Sequence, residues 1–286
     1  MEIIVSDTIG FCSGVRKAIR GAEKALKGNS KIYCLGDIIH NKGVVNQLKE
    51  KGMVFVKSLD EIPNGASFII RSHGLPFETI ENIQKKAVHI YDFTCPKVKK
   101  SHKLVESLKN HKRPIVIVGN REHPEVKAIF SLTENRGIII EKPEEVKTKL
   151  NTDECYVLVQ TTFKPVLFYE IVKEIVSFTK KAIIYNTLCE ETTKRQEEVK
   201  DLATKVDMII VVGGKHSSNT KTLFSISNSM VKSVHIENAD ELQNDWFKEV
   251  HRVGIVSGAS TPDDDIDRVI EKIYYFERNN EDETQR

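Results

Sequence analysis

One unit written three times constrains this chain more than any other feature of its sequence. Each copy opens with a cysteine placed where a strand runs into a helix. Val5-Ser6-Asp7-Thr8-Ile9-Gly10-Phe11-Cys12 leads into Arg16-Lys17, Ile90-Tyr91-Asp92-Phe93-Thr94-Cys95 into Pro96-Lys97-Val98-Lys99-Lys100, and Ile184-Tyr185-Asn186-Thr187-Leu188-Cys189 into Lys194-Arg195. Pro96 suits a first helical position, because its ring pre-sets φ and the N–H it lacks would be unpaired there anyway. Cys95 then falls at the N-cap, where the helix dipole and Lys99 are expected to favour a thiolate. A β-branched strand ending in Gly36, Gly119 or Gly213 follows each cysteine-led helix. Cys12 to Cys95 spans as many residues as Gly36 to Gly119, and Cys95 to Cys189 as many as Gly119 to Gly213. Acidic helix starts recur at Asp60-Glu61, Glu144-Glu145 and Asp240-Glu241, and an apolar run closes each copy before His73, Thr161 and Gly258.

Alternating helices and short apolar strands build parallel sheets by right-handed crossovers, with helices covering both faces. The first helix shows the period: Val15, Ala18, Ile19, Ala22 and Leu26 share one face, and Gly28 is placed to end it. The fold class is therefore α/β, as three pseudo-threefold-related domains with parallel sheets around a common centre. Their expected bounds are 13–95, 96–188 and 189–278. The first two copies own a strand before the next cysteine, at Val88–Asp92 and Ala182–Asn186, and the third does not. Residues 1–12 are therefore expected to complete the third sheet through Glu2–Ser6. Residues 279–286, charged and without apolar anchors, are expected to be a disordered tail.

Lys plus Arg number 43 against 41 Asp plus Glu, so no basic footprint for nucleic acid is visible. The longest apolar run, Met208–Val212, is far short of the ~20 residues a membrane span needs. The N-terminus lacks a charged-then-apolar signal pattern. Five widely spaced cysteines suit reduced thiols better than a disulfide framework. A soluble cytoplasmic protein is expected, with no membrane and no nucleic-acid partner.

In parallel α/β sheets, ligands bind beyond the carboxyl ends of the strands. There the copies carry His40, His123 and Ser217 four residues after the glycine, and His73, Thr161 and Ser260 near the end of the closing run. A lone cysteine is usually a small buried hydrophobe, which fits Cys34 and Cys155. Cys12, Cys95 and Cys189 stand at equivalent positions and read as metal ligands. Structural zinc usually takes paired knuckles, which this chain lacks, although zinc stays open as an alternative. One ligand from each of three domains suits a larger object, an iron–sulfur cluster with one iron free for substrate. His40, His73 and His123 with Ser217, Ser218, Asn219 and Ser260 form a donor set suited to a phosphate or diphosphate. The remaining histidines read as surface or packing residues. There is no P-loop and no dinucleotide fingerprint. Glu125, beside His123, is the natural proton source.

Gly10-Phe11-Cys12-Ser13-Gly14-Val15, Asp92-Phe93-Thr94-Cys95-Pro96, His123-Pro124-Glu125-Val126, Gln160-Thr161-Thr162, Ser217-Ser218-Asn219 and Gly258-Ala259-Ser260 together resemble the LytB-type 4-hydroxy-3-methylbut-2-enyl diphosphate reductases, from Met1 to about Phe276. The resemblance implies reductive dehydroxylation of an allylic diphosphate to isopentenyl and dimethylallyl diphosphates, the last step of the non-mevalonate isoprenoid route. It implies a 4Fe–4S cluster held by Cys12, Cys95 and Cys189, with one iron not ligated by protein. His40, His73, His123, Thr161, Ser217, Ser218, Asn219 and Ser260 would bind substrate. Glu125, Thr161 and His123 would be catalytic, and an external donor such as ferredoxin or flavodoxin would bring electrons. Two departures stand out. The family run Cys-Tyr-Ala-Thr-Thr-Asn-Arg-Gln reads Cys189-Glu190-Glu191-Thr192-Thr193-Lys194-Arg195-Gln196 here, and His216 replaces a common asparagine. The competing functions are a non-catalytic iron–sulfur sensor or electron carrier, which has no need of a phosphate-binding ring, and a zinc phosphohydrolase.

Overall fold

The structure, a computed structural model, describes residues 1–284. The first copy runs β1 (Glu2–Val5), α1 (Ser13–Leu26), β2 (Ile32–Leu35), α2 (Lys42–Glu50), β3 (Met53–Val56), β4 (Ala66–Ile70), α3 (Phe77–Lys86) and β5 (Ala87–Asp92). The second runs α4 (Pro96–Leu108), β6 (Ile115–Val118), α5 (Pro124–Leu132), β7 (Ile138–Ile140), α6 (Val146–Lys149), β8 (Glu154–Val159), α7 (Pro165–Phe178) and β9 (Lys181–Tyr185). The third runs α8 (Glu190–Ala203), β10 (Met208–Val212), α9 (Ser218–Asn228), β11 (Lys232–Ile236), β12 (Arg252–Ser257) and α10 (Asp263–Thr284).

Three parallel four-stranded sheets result, ordered β3-β2-β4-β5, β7-β6-β8-β9 and β11-β10-β12-β1. The order is the same each time, with β1 taking the place that β5 and β9 hold. Ile3 pairs with Val253 and Val5 with Ile255, so the N-terminal strand does complete the third sheet. Central strands such as Ile115–Val118 and Met208–Val212 are buried at every position, which is why they read as unbroken apolar runs rather than alternating ones. Each buried Val or Ile is worth roughly 1.5–3 kcal/mol. The sheets therefore hold the fold, while the charged outer helix faces are free to serve other ends.

The acidic helix starts are single 3₁₀ turns, Leu59–Glu61, Pro143–Glu145 and Ala239–Glu241. Ser58 and Glu61 close a capping box on the first, and the next strand follows too soon for a longer helix. Only the second continues, into the one-turn helix α6.

The chain divides into two compact units. One holds residues 14–39 and 45–189, with the first two sheets. The other holds residues 1–13, 40–44 and the chain from Glu190 onward, with the third sheet. The segment His40–Val44, which the repeat assigns to the first domain, thus packs with the third sheet. Lys42 Nζ lies 3.6 Å from Glu237 Oε2, and Gly214 sits so close under the His40 carbonyl that a Cβ there would collide with it. At the C-terminus, α10 continues through Thr284, into the stretch expected to be a disordered tail; Gln285 and Arg286 lie outside the described residues. An established helix gains one hydrogen bond per residue added, so its extension costs less than its start.

Candidate functional site

In the unit built on the third sheet, Cys12 is carried by the loop between β1 and α1. Arg195, 2% exposed, fixes that loop. Its guanidinium donates to the carbonyls of Thr8 (2.8 Å), Gly10 (2.7 Å) and Ser257 (3.0 Å). Glu198 accepts from the hydroxyls of Ser6 and Thr8 and from the Thr8 amide at 2.8 Å. Arg195 had read as one of the basic residues that begin a helix; its charge goes instead into backbone carbonyls. Glu191, one of the two departures, accepts from the Ser13 amide at 3.1 Å and from the Ser13 hydroxyl, so it caps the chain next to Cys12. His216, the other, is exposed.

The same unit holds the hydroxyl and amide donors. Ser217 is the N-cap of α9, its hydroxyl accepting from the Thr220 amide at 3.3 Å. Ser260 donates to the His40 carbonyl at 3.3 Å, which ties the His40 segment to the loop after β12. Asn219 is 4% exposed, yet neither its Oδ1 nor its Nδ2 has a partner within the protein. Such a group costs about 1–3 kcal/mol to leave unsatisfied, so both amide atoms remain able to bond a ligand.

In the larger unit, Cys95 is the N-cap of α4 with Pro96 following, and Cys189 immediately precedes α8. Burial raises the Cys95 thiol, opposed by the amides of Lys97 and Val98 and reinforced by neighbouring Cys189 and Glu125. Lys99 does not act on the thiol as its spacing suggests: its Nζ pairs with Asp92 at 2.6 Å. The rings of His73 and His123 meet edge to face, 5.4 Å between centroids. His123 caps α5, Nδ1 accepting from the Glu125 amide at 3.2 Å, so that nitrogen carries no proton and Nε2 is left as the donor. Glu125 is 1% exposed and accepts from both the amide and the hydroxyl of Thr161, each at 2.7 Å. Burial outweighs those two bonds and lifts its carboxyl to about 7.

Cys34 and Cys155 are fully buried in their strands, their thiols pushed up by burial to about 12 and about 11. They are core residues, as their strand positions suggest.

The sequence profile described as LytB protein matches residues 3–274. The chain belongs to the LytB family. It is 42% identical over 278 residues to the 4-hydroxy-3-methylbut-2-enyl diphosphate reductase of Aquifex aeolicus, covering 96% of each chain. To that of Dictyoglomus turgidum it is 40% identical over 270 residues, 94% of this chain and 95% of the relative. Among solved structures, it is similar to (E)-4-hydroxy-3-methyl-but-2-enyl diphosphate reductase, the terminal enzyme of the non-mevalonate pathway, at 41% identity and a TM-score of 0.72, covering 96% of this chain and 100% of the other. The reductase of Plasmodium falciparum superposes with a TM-score of 0.90 at 29% identity, over 94% of this chain and 87% of that one. This LytB chain has no described helix long and apolar enough to cross a membrane. Glu198 is the residue that the sequence reading does not single out, and Arg195 and Glu191 stand in its motifs without the contacts found here.

Proposed function

We propose that this chain reduces 4-hydroxy-3-methylbut-2-enyl diphosphate in the cytoplasm, consuming two electrons and two protons and releasing water with isopentenyl and dimethylallyl diphosphates. The observation that carries this is the division among its cysteines. The three repeat-equivalent ones are half-buried thiols outside any disulfide, beside helix N-termini, and the other two are sealed in cores. That donor set fits a 4Fe–4S cluster with one iron not held by protein. Each domain, 13–95, 96–188 and 189–278 with residues 1–12, then offers a cysteine at a chain junction. When bound, the cluster supplies the electrons and Lewis acidity that loss of a hydroxyl group requires.

The protein's own residues do the rest. His40, His73, His123, Ser217, Ser218, Asn219 and Ser260 bind the diphosphate, and the unpartnered Asn219 amide is suited to that. Burial lifts the Glu125 carboxyl to about 7, so near neutral pH a large fraction of it still holds a proton to give. The Thr161 amide donates to Oε1, and the hydroxyl bond at Oε2 is the one along which a proton can pass between Glu125 and Thr161. Thr161 can pass a proton to the departing oxygen and take one from Glu125. The two bonds from Thr161 then stabilise the carboxylate that remains. Electrons come from an external carrier such as ferredoxin or flavodoxin.

The test is anaerobic: reconstitute with iron and sulfide, supply dithionite and the allylic diphosphate, and analyse the products by mass spectrometry. Protein with a full iron–sulfur absorbance that leaves the substrate intact would overturn the proposal.

A further inference from the structure

The proposed reaction consumes two electrons that no residue of this chain supplies, so a donor must dock. We propose that an acidic electron-carrier protein docks on the outer face of α1 and the groove beside it, which rests on the reductase reading above. Lys17, Arg20, Lys24 and Lys27 are exposed at spacings of three and four, which places them along one face of α1 and its final turn. None of the four has an ion-pair partner among the described residues, and the one acidic residue of α1, Glu23, pairs with Lys51 at 2.7 Å. The other cysteine-led helices differ. The exposed residues of α8 mix Glu190, Glu197 and Asp201 with Lys194 and Lys200, and α4 mixes Lys100 and Lys103 with Glu106. On a chain of net charge +2, four unpaired cations in line form a local field rather than a general one.

Beside the stripe runs a groove of about 530 Å³, lined by Gly21, Lys24, His89, Tyr91 and Phe93. The Tyr91 and Phe93 rings are stacked, 6.3 Å between centroids, and a Cβ on Gly21 would run into the Phe93 ring. Asn29 donates to the Tyr91 hydroxyl at 3.1 Å and accepts from Ser67 at 2.8 Å, so the groove wall is held in place. Phe93 stands two residues before Cys95, about 7 Å of extended chain. A partner seated here brings its redox centre to the aromatic pair nearest in sequence to a proposed cluster ligand, while the cations steer its approach. Each docking delivers one electron and leaves the carrier oxidised. Two dockings, with two protons taken up and water released, reduce one substrate.

The experiment uses Arg20→Glu/Lys24→Glu and, as a control of equal charge change, Lys112→Glu/Lys142→Glu in the reconstituted protein. Calorimetry with oxidised ferredoxin at low ionic strength reads docking directly, and turnover is followed with reduced ferredoxin and separately with dithionite. The groove pair should weaken ferredoxin binding and raise its KM about tenfold or more, flatten the salt dependence, and leave dithionite turnover unchanged. Equal effects in both pairs, or no effect in either, would overturn the docking site. So would binding of a short RNA to this face with none of ferredoxin. Loss of dithionite turnover in the unaltered protein would count against the reductase reading alone, since calorimetry tests docking without it.

Discussion

The backbone amide of Cys189 donates to the carbonyl of Thr161 at 2.8 Å. The same bond recurs from Cys95 to Ser72 at 2.9 Å and from Cys12 to Ala259 at 3.0 Å. Each joins the loop after a sheet's third strand to the chain leaving its fourth. These bonds prolong the pairing of β8 with β9, β4 with β5 and β12 with β1 beyond the strand ends. The thiols are therefore placed by sheet register, and a polar residue of the proposed substrate ring stands at or beside each acceptor.

Serine at position 12, 95 or 189 should abolish stoichiometric iron and sulfide binding while leaving the fold intact, because the backbone bond survives the substitution. Serine at 34 or 155 should retain the cluster but cost about 1–3 kcal/mol, since it buries a hydroxyl in an apolar strand. Iron and sulfide assays beside thermal melts check both. Full cluster retention in Cys95→Ser would contradict the ligand assignment.

Glu125→Gln should cut turnover at least a hundredfold with little change in substrate affinity, as only a proton source is removed. It should also change the pH dependence of stability. The folded carboxyl sits near 7, above its ordinary 4.5, so the native state keeps a proton that the unfolded chain has released. This contribution is full below about 4.5 and is lost as pH rises through about 7, a span on the order of 3 kcal/mol. Denaturant melts from pH 4 to 8 should show that decline in the unaltered protein and its loss in the glutamine variant. A parallel decline in both would exclude Glu125 as its source.

Asn219→Ala should separate affinity from stability. Removing two unsatisfied amide atoms should leave the melting temperature of the ligand-free protein unchanged or raised, while diphosphate binding weakens by about 1–3 kcal/mol. Calorimetry with inorganic diphosphate and a thermal melt decide it. Unaltered affinity would remove Asn219 from the binding set.

Arg195→Met should loosen the segment 6–12 selectively. Three carbonyls lose their donor, and the expected cost is about 3–5 kcal/mol for a buried charge network. Hydrogen exchange should rise in this segment before it rises in β10. Unchanged protection there would show that the loop holds itself.

Much of this was legible in the residues. The three cysteines, the parallel sheets and the missing fourth strand all follow from a repeat, because equal units with equal apolar faces can bury them only by folding alike. Glu125 was visible as a carboxylate after His123-Pro124, although its partner Thr161 is set by which strands neighbour each other. The role of Arg195 is not legible, because a basic residue early in a helix looks the same in sequence whether it faces solvent or the carbonyls of a loop nearly two hundred positions away. Lys99 was misjudged for the converse reason, since Asp92 lies seven residues earlier, beyond the helix, and only the turn at Thr94 brings it back.

Local pattern thus determined the strands, the three parallel sheets and the residues proposed to bind metal or phosphate. Tertiary structure alone decided that His40–Val44 packs with the third sheet, that Glu191 caps Ser13, and that Glu125 is dry enough to hold a proton near neutrality. Those outcomes depend on burial and on partners remote in sequence. Desolvation and long-range hydrogen bonding are properties of the packed chain and leave no period in the sequence.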